Sequence, residues 1–206
     1  ALGRRGRPAL GSRMMRSGHA GWDVAALQFT LAWHGFPSGN IDGGFGSRTK
    51  AALRRFQAWA GLSADGVAGA ATVRALGRPV PRSPIWLIAP VRRPIGDVFG
   101  PRGNRFHTGL DYPAPTGTAV TAAGRGRVTF AGWDAGGYGN TVVIEHPRGV
   151  RSMYAHLAGI AVRRGTWVVA GNRVGTVGAT GVATGPHLHF ELRLGSAAID
   201  PLTALR

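Results

Sequence analysis

The chain has 206 residues, 44% of them hydrophobic, with 34 glycines and no cysteine. This length holds one large domain, or a small one beside a medium one. The missing thiols exclude disulfides and thiolate metal ligands, leaving His, Asp and Glu for any metal site. With 25 basic against 9 acidic residues the formal net charge is +16, which suits a polyanionic partner such as nucleic acid, an anionic membrane surface or an acidic cell wall. No apolar run reaches bilayer length and no signal-peptide pattern is visible. The chain opens on Ala1 rather than Met, which leaves room for a removed upstream segment.

Residues 1–20 are rich in Gly and Arg, carry the basic cluster Arg4, Arg5 and Arg7, show no hydrophobic period, and read as a flexible tail. Asp23 is placed to cap a helix carrying Val24, Leu27, Phe29 and Leu31, which Gly35 and Pro37 end. Ser47 announces a second helix through Leu53, Phe56 and Trp59 to Gly61. Asp42-Gly43-Gly44 with Thr49 and Asp65-Gly66-Val67 with Thr72 form an internal pseudo-repeat, an Asp-Gly turn that leads into a helix. Both aspartates read as turn formers.

This segment resembles the type 1 peptidoglycan-binding domain, a three-helix module. The resemblance rests on Leu27-Gln28, Ile41-Asp42-Gly43, Phe45-Gly46, Thr49, Phe56-Gln57, Gly61-Leu62, Asp65-Gly66, Gly69 and Thr72. It implies binding of cell-wall muropeptide by residues 21–78. The prolines of residues 79–88 favour an extended, semi-rigid linker.

Beyond the linker the pattern changes to short β-rich runs between glycines and prolines, which predicts a mainly antiparallel all-β domain over 89–206. The expected strands include 118–120, 126–130, 141–145, 150–154, 166–169, 173–177 and 187–192, with 136–140 as a loop. On the last strand His187 and His189 alternate onto one face, with Glu191 behind them. His107 and Asp111 are four apart, but Gly109, Pro113 and Pro115 argue against a helix, so a turn or strand end folds them together. His156 stands at the end of a strand. A catalytic zinc site takes three protein ligands and leaves a fourth position for water. His107, Asp111 and one of the closing pair supply three, and His156 and the other member remain as proton carriers or hydrogen-bond donors.

Residues 89–202 resemble the lysostaphin-type (LytM-like) zinc metallopeptidases. The resemblance rests on Phe99-Gly100-Pro101-Arg102, Phe106-His107-Thr108-Gly109-Leu110-Asp111-Tyr112, Tyr138-Gly139-Asn140, Tyr154-Ala155-His156-Leu157, Gly185-Pro186-His187-Leu188-His189-Phe190-Glu191 and Asp200-Pro201. It implies one zinc ion held by His107, Asp111 and His189, catalytic roles for His156 and His187, and substrate contact by Asn140. Ala183 and Asn172 depart from residues common in the family, away from the implied metal chemistry. Glu191 reads either as a residue orienting a ligand or as a solvated strand-end carboxylate; His19 and His146 read as surface residues, and His34 as surface or packing.

The fold class expected is thus a small three-helix domain followed by an all-β metallopeptidase domain. The function expected is a secreted or wall-associated, monomeric zinc endopeptidase that cuts peptidoglycan stems or cross-bridges. The alternative is a catalytically silent wall-binding protein or amidase activator. The charge is scattered and no recognition helix or aromatic platform accompanies it, so no specific nucleic-acid partner is expected.

Overall fold

The computed structural model describes residues 9–206, and Arg4, Arg5 and Arg7 lie outside the described residues. By its contacts the chain forms two compact units. One holds the described residues up to 81 with 100–107 and 196–198; the other holds 82–99, 108–195 and 199–206.

The first unit is built on three helices, α1 (Trp22–Trp33), α2 (Ser47–Trp59) and α3 (Ala70–Leu76). Val24, Leu27, Gln28 and Leu31 of α1 and Thr49, Ala52, Leu53, Phe56 and Gln57 of α2 are buried, the spacing of one helical face. Phe36, Phe45 and Met15 complete this core. Met15 overturns the reading of 9–20 as a tail. Its side chain is fully buried and its backbone pairs with Ala68 in both directions, so one apolar anchor holds a stretch whose composition is that of a linker. Asp23 is not the cap expected of it. Gly21 occupies that position, and Asp23 sits buried in the first turn, where Arg13 Nε donates to its Oδ2 at 2.6 Å. The hydrogen bond from Arg13 holds this carboxyl below the usual carboxylate range.

The pseudo-repeat is a duplicated polar network. Gln28 Nε2 donates to Asp42 Oδ1 (2.9 Å), Gly44 O (3.0 Å) and Thr49 Oγ1 (3.1 Å). Gln57 Nε2 donates to Asp65 Oδ1 (2.8 Å), Val67 O (3.0 Å) and Thr72 Oγ1 (3.1 Å). Gly43 N–H and Gly66 N–H return to the respective glutamine Oε1, each at 2.9 Å. Each Asp-Gly turn is therefore locked by an amide from the preceding helix, which satisfies polar groups that burial would otherwise leave costly.

Residues 100–107 form a hairpin of β1 (Gly100–Arg102) and β2 (Arg105–His107), with Gly100 opposite His107. Contacts place this hairpin in the first unit. Phe106 meets Trp33 edge-on at 5.3 Å between ring centres, and Ile41 N–H donates to Asn104 O at 2.7 Å.

The second unit is an antiparallel β structure. Its strands are β3 (Leu110–Pro113), β4 (Ala119–Thr121), β5 (Gly126–Asp134), β6 (Gly139–Glu145), β7 (Val150–Ala155), β8 (Leu157–Ile160), β9 (Trp167–Val168), β10 (Arg173–Val177), β11 (His187–Leu194) and β12 (Ala197–Ile199). The larger sheet runs β12-β11-β7-β6-β5-β9 with β3 added to β11; the smaller runs β4-β10-β8. Leu110, Tyr112, Tyr154, Leu188 and Phe190 fill the core between them.

Gly139 and Asn140, expected in a loop, belong to β6, because the ladder with Asp134 and Trp133 extends that far. His146, expected on the surface, is buried, its ring held between Arg125 O (2.8 Å) and Ser152 Oγ (2.7 Å). His34 is likewise buried, its Nε2 at 3.0 Å from Leu76 O.

Candidate metal centre

The register of β11 builds the site. On one side β11 pairs with β3, setting His189 opposite Asp111 and His187 opposite Pro113. On the other side it pairs with β7, setting His189 opposite Ala155, the residue before His156. His107 ends β2, and only Thr108 and Gly109 separate it from β3. Gly109 has to be glycine, since a Cβ there would lie 2.4 Å from Phe190 O and 2.9 Å from His189 Cε1.

His107, Asp111 and His189 each offer a ligand atom, and these atoms lie within 4.8 Å of one another. His107 and His189 are buried and Asp111 is half-buried. His189 Nδ1 is 2.8 Å from Asp111 Oδ1. Two imidazole nitrogens and one carboxylate, without cysteine, form a donor set that suits zinc.

The two remaining histidines stand against this group. The His156 and His187 ring centres are 4.8 Å apart, and His156 lies 5.9 Å from His189. His187 Nε2 is 3.8 Å from Asp111 Oδ1. In both, Nδ1 is 2.8 Å from a backbone carbonyl, Thr180 O for His156 and Gly185 O for His187. A carbonyl only accepts, so Nδ1 carries the proton and the neutral ring presents its lone pair at Nε2. His156 adopts φ +60, a left-handed conformation that costs about 1–3 kcal/mol for a non-glycine residue and clusters at functional sites. Its N–H donates to Tyr138 O at 2.9 Å. Burial lowers the pKa of His156, and the hydrogen bond it donates to Thr180 O opposes this. Burial also works to lower that of His189, but the two carboxylates Asp111 and Glu191 outweigh it and push the ring up to about 9.

Glu191 is where sequence reasoning fell short. It is fully buried, which removes the solvated strand-end alternative. Its Oε1 accepts from His189 Nε2 (3.1 Å), Tyr138 OH (2.7 Å) and Thr108 Oγ1, and its Oε2 from Arg193 Nη2 (2.8 Å) and Nε (3.0 Å). Burial alone would raise its pKa; the donors, His189 and Arg193 foremost, bring it down to about 2. The signal available in the sequence was the alternation that puts it on the His189 face. Nothing in the sequence marked that face as dry at this point.

Asn140 is half-buried, and its N–H donates to Thr180 Oγ1 at 3.0 Å. A cavity of about 360 Å³ opens beside Asp111 and His187, walled by Gly96, Pro113, Thr184, Gly185 and Pro186.

Two histidines and an aspartate within reach of one another, with two more histidine rings beside them on an antiparallel β structure, define a metallopeptidase-type arrangement. The model of peptidase family M23 matches residues 105–201, and the peptidoglycan-binding-domain model matches 21–76. The catalytic domain of the antimicrobial peptidase lysostaphin from Staphylococcus simulans is 35% identical, with a TM-score of 0.51, and the match covers 53% of this chain and 90% of that one. The chain therefore belongs to peptidase family M23 and carries a peptidoglycan-binding domain at its N-terminal side.

Among curated relatives, the DD-carboxypeptidase/endopeptidase Mpg of Neisseria meningitidis serogroup B is 48% identical over 99 residues, covering 48% of this chain and 23% of that protein. The murein hydrolase activator NlpD of Salmonella typhimurium is 38% identical over 97 residues, covering 47% and 26%. The chain thus spans about a quarter of the length of these relatives.

Proposed function

We propose that this chain is a zinc-dependent endopeptidase that hydrolyses peptide bonds in peptidoglycan stems or cross-bridges. The observation that carries this reading is the His107, Asp111 and His189 group with two further histidine rings against it. In this reading residues 89–206 form the catalytic domain, residues 21–78 hold it to the wall, 79–88 link them, and the protein works as a secreted or wall-associated monomer.

His107, Asp111 and His189 hold the ion, and the carboxylate offsets part of its charge. When bound, zinc supplies Lewis acidity, polarising a carbonyl oxygen and bringing the pKa of a water to about 7. His156 and His187, with Nδ1–H anchored on backbone carbonyls, present Nε2 to take a proton from water and return one to the departing amine. Their protonated forms stabilise negative charge that develops on the scissile carbonyl oxygen. Asn140 and the cavity beside His187 contact the substrate backbone, which is all that a glycyl or D-alanyl peptide offers for grip. The wall-binding domain raises local substrate concentration without a new catalytic contact.

The test is hydrolysis of purified walls with and without a chelator, with mass spectrometry of the released muropeptides. The expected result is one zinc per chain, and fragments whose summed mass exceeds the parent muropeptide by one water per cleaved peptide bond, lost on chelation and restored by zinc. The likeness to NlpD favours a second reading, a silent activator of other wall hydrolases. Absence of stoichiometric zinc, with chelator-insensitive effects on walls, would select it.

The net charge of +16 adds an electrostatic component to adsorption on anionic wall polymers. Raising ionic strength from 0.15 to 1 M shortens the screening length from about 8 to about 3 Å. Binding to whole walls, measured by co-sedimentation, is expected to weaken over that range. Salt-independent binding would remove charge from the account.

A further inference from the structure

We propose that Glu191 is the positioning residue of this centre: it fixes the ring of His189 and ties it to the segments that carry His107 and His156. This rests on the reading of His189 as a metal ligand. An ionised carboxylate only accepts hydrogen bonds. His189 Nε2, 3.1 Å from Glu191 Oε1, therefore carries a proton, and the nitrogen left to give a lone pair to a metal is Nδ1, the one turned to Asp111. Metal-ligating histidines are commonly oriented in this way through their second nitrogen.

The other donors to Glu191 extend its reach. Thr108 follows His107 in the chain, and its hydroxyl donates to Oε1. Tyr138 donates to the same oxygen through its hydroxyl, while its carbonyl accepts the His156 N–H. One carboxylate thus touches His189 directly, the neighbour of His107, and the residue that holds the left-handed backbone of His156. Arg193, through two hydrogen bonds, fixes the carboxylate itself.

Stability alone gives a weak reason for such a group. Replacing a buried ion pair by apolar residues of similar volume is often neutral or stabilising. A carboxylate whose other donors all come from the ligand itself or from segments beside the site is better explained by orientation of that site.

The test compares Glu191→Leu, Glu191→Gln and the pair Thr108→Val/Tyr138→Phe with the parent, in the full chain. It measures zinc affinity by chelator competition, thermal unfolding of the zinc-free form, and the visible absorption bands of the cobalt(II)-loaded protein. Loss of an outer ligand partner typically costs 10- to 100-fold in metal affinity. Glu191→Leu is expected to lose zinc affinity by about that factor and to shift the cobalt bands, which report ligand geometry. Glu191→Gln keeps an oxygen acceptor for Nε2–H and is expected to recover most of the loss. The Thr108/Tyr138 pair leaves His189 and Glu191 in place and is expected to lose affinity measurably but by less than Glu191→Leu; it decides the matter if Glu191→Leu fails to fold.

A folded Glu191→Leu protein with parental affinity and cobalt spectrum, changed only in unfolding temperature, overturns the proposal. So does an unchanged Thr108/Tyr138 pair where Glu191→Leu does not fold. Failure of the parent to bind zinc would instead overturn the reading of the site on which this proposal rests.

Discussion

Substituting His189 by alanine is expected to remove zinc and wall hydrolysis together. In the proposed ligand set the imidazole is one of three donors, and the two left, His107 and Asp111, would fall short of the three protein ligands such a site takes. The loss should exceed the roughly 100-fold that a change behind a ligand costs, so dialysed protein should carry no stoichiometric zinc. Global folding should survive. Glu191 loses one donor but keeps Thr108, Tyr138 and Arg193, and the unmade hydrogen bond costs about 1–3 kcal/mol. Elemental analysis of the dialysed variant, together with muropeptide release from purified walls, checks both halves. A variant that retains zinc and hydrolysis would take His189 out of the ligand set and with it the proposed chemistry.

Which parts of this centre could be read from the chain follows from how each residue gets there. The alternation of His187 and His189 depends only on the two-residue period of a strand, so their shared face was legible. The turn between His107 and Asp111 was legible because Gly109 and two prolines exclude a helix. What juxtaposes Asp111 and His189 is the β3–β11 register, a long-range pairing that no local pattern encodes. The same limit explains Glu191. Its face was readable, but its surroundings depend on Thr108 and Tyr138, which reach it from other segments and join Arg193 of its own strand.

In the helical unit the Asp-Gly turns were visible as a repeat, but the glutamines that lock them were not visible as its members. Gln28 precedes Asp42 by 14 residues, whereas Gln57 precedes Asp65 by 8, so no fixed offset relates them. Asp23 and Met15 were misread for a related reason. Arg13 and Ala68, the partners that hold them, lie 10 and 53 residues away, and composition alone reported a tail. The hairpin of residues 100–107 was missed as strands because Pro101 and Gly103 interrupt its period.

Substituting His156 by alanine is expected to do the opposite of the His189 change, keeping zinc and losing turnover. His156 lies outside the group of three ligand atoms and is held by its own anchors, Tyr138 O on its N–H and Thr180 O on its Nδ1. Zinc affinity should stay within a few-fold of the parent, while kcat falls by about 10²- to 10⁴-fold, the usual worth of a positioned proton-transfer group. KM should change little, because the ring is assigned to proton transfer rather than to substrate grip. The left-handed backbone at this position calls for a second variant. His156→Asn tolerates φ +60 without a ring that carries a proton, so equal losses in the alanine and asparagine variants exclude backbone strain as the cause. Full activity in either would contradict the assignment. His187→Ala should lower kcat in the same way, and the double variant then separates two mechanisms. Residues that act as one unit are far from additive. A double variant no worse than the poorer single would place both rings in one proton path, whereas a loss equal to the product of the singles would give each ring its own step.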